Sequence, residues 1–80
     1  METTITLDTL LSPGETAVVS AMEEADPALC RRLFAMGIVK GVEIKILAMS
    51  PFGDPISVGL RGYVLSLRKE ELRILRGVKK

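Results

Sequence analysis

The sequence contains no histidine, no tryptophan and a single cysteine, Cys30; its aromatic side chains are Phe34, Phe52 and Tyr63. Without histidine no Cys/His metal cage can be assembled, and Cys30 has no imidazole to activate it as a nucleophile. One thiol excludes a disulfide framework within the chain and fits a reducing compartment. The longest apolar run, Leu33 to Val39, falls far short of the ~20 residues that span a bilayer. The first six residues are polar and acidic rather than basic then apolar, which does not read as a signal peptide. These absences predict a soluble, cytoplasmic protein.

Catalytic groups are missing too. Glu70 and Glu71 are adjacent and so diverge on a strand or a helix, and Asp54 between Gly53 and Pro55 reads as a turn former. Gly53 and Gly59 lack the Gly-Lys-Ser/Thr ending of a phosphate loop. The G-x-x-x-G spacing of Gly37 and Gly41 is explained by a helix cap followed by a strand entry. No catalytic residue, cofactor or metal ligand is expected, and the chain does not read as an enzyme.

What is present describes one small domain over residues 1–80. With 48% hydrophobic and 26% charged residues, the chain is globular, yet at this size it buries only about 60–65% of its unfolded surface. The stability margin is thin, and a partner or self-association into a homo-oligomer would help. Net charge is +1, but residues 1–40 hold three basic and six acidic groups against eight and four in residues 41–80. That asymmetry reads first as a solvated basic face. Its rival is a small nucleic-acid-binding barrel, which needs a basic groove with stacking aromatics. Phe34 is assigned to a helix stripe, so Phe52 and Tyr63 alone remain for that purpose.

Local signals place the elements. Leu7 and Leu10 mark a short helical turn, and Ser12-Pro13-Gly14 a tight turn. Thr16 to Met22 follows as a strand, with Ala17, Val19 and Ala21 on one face, and Glu23 to Ala25 as a loop. Asp26-Pro27 starts a helix that Gly37 stops. On it Leu29, Leu33 and Met36 form the apolar stripe, widened by Cys30 and Phe34. Val42, Ile44 and Ile46 alternate with Glu43 and Lys45 in a strand running through Met49. Pro51 and Pro55 make Ser50 to Pro55 a loop. Ile56 to Leu60 and Tyr63 to Leu67 form a hairpin about Arg61-Gly62. Lys69 to Glu71 reads as a polar turn, Leu72 to Leu75 as a last strand, and residues 77–80 as a frayed tail. Short strands joined as hairpins exclude repeated βαβ crossovers. The fold class expected is mainly β: a small SH3-like barrel of about five strands with one inserted short helix. An OB-like barrel is the nearest competitor.

In order and spacing, the chain resembles the FeoA family. The resemblance rests on Leu7 and Leu10 before Pro13-Gly14-Glu15; Arg32-Leu33 and Met36-Gly37-Ile38 followed by Gly41; Pro51-Phe52-Gly53-Asp54-Pro55; then Gly62 and Leu67-Arg68. The same domain type is similar to the C-terminal module of DtxR-type metal-dependent repressors. The resemblance implies an SH3-like barrel that accompanies FeoB, the ferrous iron transporter, by binding its cytoplasmic GTP-hydrolysing portion. Because the ligands present are scattered carboxylates and one thiol, any connection with iron is expected to be indirect. For the contact surface the sequence nominates Arg31 and Arg32 on the helix, with Met49, Phe52 and Asp54 in or beside the long loop. A surface aromatic beside methionine is a reasonable anchor. Phe52 is read either as such an anchor or as a lid on the core.

Overall fold

In the computed structural model, which describes residues 3–23 and 26–80, the chain runs through six strands and two helices. They are β1 (Thr4–Thr6), β2 (Thr16–Met22), α1 (Pro27–Ala35), β3 (Glu43–Met49), β4 (Ile56–Leu60), β5 (Tyr63–Leu67), α2 (Lys69–Arg73) and β6 (Leu75–Lys79). A single 3-10 turn, Leu7–Thr9, follows β1. All strand pairs are antiparallel, in the order β1-β6-β2-β3-β4-β5. This is the expected mainly-β, SH3-like class, with β1 and α2 as additional elements. The loop expected over Glu23 to Ala25 lies partly outside the described residues.

Helix α1 begins and ends where its local chemistry dictates. Asp26 Oδ1 accepts from Leu29 N–H at 3.1 Å and Pro27 occupies the first turn, satisfying one orphan amide and losing none that was needed. At the other end Gly37 has φ +91°. Its N–H donates to Phe34 C=O at 3.0 Å, and Ile38 N–H donates to Leu33 C=O at 3.1 Å. That pair of bonds is a Schellman termination, and Ile38 packs with Leu33 in the core beneath it.

The core is built from alternating strand residues: Ile44 and Ile46 of β3, Ile56, Val58 and Leu60 of β4, and Leu67 of β5, closed by Leu7, Leu33, Leu72 and Leu75. Two register shifts change the alternation. One falls between Val19 and Ala21 of β2, so Ala21 is exposed while Met22 packs on the core. The other falls between Ile46 and Ala48 of β3, and turns Met49 inward. A bulge adds one residue to a strand of period two, which moves every later side chain to the opposite face.

Four expectations need correction. Phe34 is 68% exposed and does not belong to the apolar stripe: it sits one residue past Leu33, about 100° round the helix. Cys30 is half-buried, and its thiol donates to Glu23 C=O at 3.2 Å. Residues 69–73 are helical rather than a turn leading into a strand, because Glu71 reaches back to cap Arg68 N–H at 2.7 Å. Residues 77–80 are no frayed tail. Strand β6 lies between β1 and β2, with Gly77 opposite both Ile5 and Val19, and Lys80 N–H donates to Thr16 C=O at 2.9 Å.

An ion pair also fastens β6. Lys79 Nζ is 2.7 Å from Glu15 Oε2, while Glu15 Oε1 accepts from Leu11 and Ser12 N–H at 3.0 and 2.8 Å. The Lys79 hydrogen bond above all, with those amides, holds the Glu15 carboxyl below its ordinary value against the opposing effect of desolvation. A depressed carboxyl contributes stability that is present above its unfolded pKa and lost as pH falls through the folded one. Glu15→Gln should therefore melt below wild type at neutral pH, and the two melting temperatures should converge at about pH 2. A gap that stays constant across that range would mean the carboxylate charge is not what Glu15 contributes.

Candidate functional site

The loop between β3 and β4 is braced from within. Ser50 Oγ donates to Asp54 C=O at 2.6 Å and accepts from Asp54 N–H at 2.9 Å, and Gly53 N–H donates to Ser50 C=O at 2.9 Å. Asp54 then ties the loop to the start of α2. Its Oδ1 accepts from Lys69 N–H at 2.8 Å, and its Oδ2 lies 3.8 Å from Arg68 Nη1. Side chains of Ser, Asp and Asn commonly close loops in this way, because their oxygens imitate backbone acceptors. The outcome is a fixed platform at whose tip Phe52 stands 94% exposed. Phe52 is therefore not a lid on the core.

The nominated residues fall into two groups. Arg32 and Asp54 belong to one polar network, which neither could reveal by sequence distance. Arg32 Nη1 lies 3.3 Å from Glu71 Oε2, while Glu71 Oε1 takes the Arg68 amide and the Arg68 side chain faces Asp54. The network joins α1, α2 and the β3–β4 loop. Its centre is Glu71, at 1% exposure the buried charged residue among the described residues. Burying a carboxylate is costly unless it is paired and hydrogen-bonded: Glu71 Oε1 has the Arg68 amide, whereas Oε2 has the Arg32 ion pair and no hydrogen bond among the described residues. Arg31 is exposed on α1 and has no ion pair among the described residues. Met49 is half-buried against the core rather than offered to solvent.

Glu71 is a capping residue rather than part of a polar turn, and Phe34 is a surface residue rather than part of the helix stripe. The signal for Glu71 was available: a glutamate three residues after a helix start is half of a capping box. For Phe34 the helical period alone suffices. Electrostatically the surface is mixed, with Arg32, Arg68, Arg76, Lys79 and Lys80 all engaged by carboxylates. Among the described residues, no three His, Cys, Asp or Glu side chains are grouped to hold a metal ion. What the platform offers chemically is recognition: one bulky apolar side chain on a braced loop whose base carries the Asp54–Arg68 pair.

Comparison with known proteins bears on the family and the fold. A family model described as the FeoA domain matches residues 5–76. The solution structure of a FeoA-like protein from Clostridium acetobutylicum is 35% identical, with a TM-score of 0.84, covering all of this chain and 88% of that one. FeoA of Stenotrophomonas maltophilia, described as an SH3 domain protein complexed with zinc, is 32% identical with a TM-score of 0.74, over 89% of this chain and 86% of that one. A manganese-dependent transcriptional repressor is 23% identical with a TM-score of 0.89; this chain is covered in full but spans 38% of the repressor. At that identity the likeness to the repressor shows the fold alone.

Proposed function

The chain belongs to the FeoA family, which is associated with ferrous iron transport, and we propose that it is a non-enzymatic accessory protein of ferrous iron uptake. It acts by docking on the cytoplasmic GTP-hydrolysing portion of an FeoB-type transporter, and it works in the cytoplasm. Among the described residues no helix is long and apolar enough to cross a membrane, so membrane association through the partner fits this chain. The observation that carries the reading is Phe52. A phenylalanine held 94% exposed on a braced loop has no use for folding, whereas aromatic anchors dominate binding energy at protein interfaces. Arg31 and Arg32, on exposed turns of α1, supply rim charges.

Phe52→Ala separates the two uses. Because the side chain leaves no core contact behind, the variant should keep its stability to within about 0.5 kcal/mol. Binding to the isolated cytoplasmic domain of the transporter should weaken by about 2 kcal/mol, or about thirtyfold in Kd, in a calorimetric titration. A variant that melts normally and binds normally would remove Phe52 from the interface.

A further inference from the structure

Strand β5 ends the sheet opposite β1 and, among the described residues, has no strand on its outer side. The turn before it decides which of its backbone groups face that side. Arg61 and Gly62 have φ +48° and +84°, a two-residue turn of the primed kind that makes Leu60 and Tyr63 a hydrogen-bonded pair. Along the register, Val58–Leu65 and Ile56–Leu67 are then hydrogen-bonded pairs as well. Val64 and Ser66 sit opposite Gly59 and Ser57 in the alternate pairs, so their N–H and C=O groups point away from β4. Among the described residues no other backbone group takes them up.

Edge strands open in this way are normally guarded by a lysine, a proline or a bulge, because an unpaired edge is a template for another strand. Tyr63–Leu67 has no charge, no proline and no register shift. Val64 is 63% exposed on one face and Leu65 half-buried on the other, so both faces of the edge end in apolar surface. Charge is confined to the two ends: Arg61 in the turn before β5, Arg68 and Lys69 after it. Arg61 and Lys69 have no ion pair among the described residues, and Arg68 reaches Asp54 only at 3.8 Å.

We propose that β5 is a strand-addition site for an extended segment of a partner protein, apolar in its middle and acidic at both ends. The segment would hydrogen-bond to Val64 and Ser66, cover Val64 and Leu65 with its side chains, and meet Arg61 and Lys69 with carboxylates. The same charges argue against a second copy of this chain. Antiparallel self-pairing about Leu65 brings Arg61 of each copy beside Lys69 of the other, and cross-strand like charges repel. The site adjoins the Phe52 platform at Lys69, whose amide braces that loop, but its hydrogen-bonding edge at Val64 and Ser66 is distinct, and it stands whether or not that platform docks on a transporter.

The test uses the full chain and a blocked synthetic peptide of alternating Val and Thr with paired Glu at each end. In the free protein, the Val64 and Ser66 amides should exchange with water fastest of the β5 amides; with the peptide they should slow by about tenfold or more. Val64→Pro removes an outward N–H without touching the β4 ladder, and should weaken binding about tenfold or more while the melting temperature stays near wild type. On the wild-type chain, a peptide N-methylated at every central amide should not bind, although its side chains and charges are kept. Replacing the terminal Glu by Lys should weaken binding, and rising salt should weaken the acidic peptide. Equal binding of the N-methylated peptide, or no binding at millimolar concentration, would overturn the proposal. So would a peptide-free dimer in sedimentation that Val64→Pro abolishes, since the edge would then belong to a second copy.

Discussion

Gly77→Val is expected to lose about 3 kcal/mol or more, lowering the melting temperature by more than about 12 °C. Gly77 is buried in β6, between β1 and β2, and the reason it is glycine is contact rather than conformation. A Cβ there would run into the Val18 carbonyl oxygen inside van der Waals distance, and would stand 3.0 Å from Leu7 Cδ1. A leucine methyl can rotate aside, but a backbone carbonyl in a strand cannot move without pulling β2 out of register. Even Gly77→Ala should be strongly destabilising, which distinguishes backbone overlap from crowding by valine's extra methyls. A chain of this size holds about 4–12 kcal/mol in all, so the valine variant sits near the limit of folding. Thermal melts of the three proteins by circular dichroism provide the measurement. A valine variant melting within a few degrees of wild type would show that β6 is not seated between its two neighbours.

Gly37→Val should cost about 3 kcal/mol through two separable effects. The first is backbone strain: φ is +91°, where a side chain, and a β-branched one above all, is disfavoured by about 1–3 kcal/mol. The second is the Tyr63 hydroxyl. It donates to Met36 C=O, and a Cβ on Gly37 would approach that oxygen to 2.6 Å. The ring carbon behind it stands at 3.8 Å, an ordinary contact. Tyr63→Phe therefore removes the overlap and leaves the strain. In the phenylalanine background Gly37→Val should cost about 1 kcal/mol less than in wild type, a coupling that a double-mutant cycle resolves. Strict additivity would mean that the hydroxyl does not clamp the end of α1 to β5.

These two glycines also mark how far a sequence carries. Gly37 is readable because a helix stop is a local event: the bonds of the Schellman termination join residues three and five apart in the chain. Gly77 is not readable, because the atoms that forbid a side chain there belong to Val18 and Leu7, remote in sequence. A short segment near the end of a chain looks the same whether it hangs free or lies between two strands. The count of strands failed for the same reason. Thr4–Thr6 is too short to announce itself, and becomes a strand only because β6 is beside it.

The candidate site divides along the same line. That the Ser50 to Pro55 segment is a loop containing Phe52 follows from two prolines and a glycine. Whether Phe52 faced the core or solvent did not follow, since both placements bury or expose the same residue in the same loop. Arg32 could be placed on the polar side of α1 from period alone, but its partner Glu71 lies on another element.

Residue order is enough for the elements whose causes are local: the two ends of α1, the alternation of β3 and β4, the Arg61-Gly62 turn and the mainly-β class. Each depends on residues within a few positions of one another, where dihedral preference, capping and period two act directly. Packing in three dimensions sets the seating of β6, the parity changes at the two bulges, the burial of Glu71 beside Arg32 and the open edge of β5. Those depend on which segments become neighbours. Neighbours are chosen by the packing of the whole chain, through contacts whose energies are short-ranged in space and indifferent to distance along the sequence.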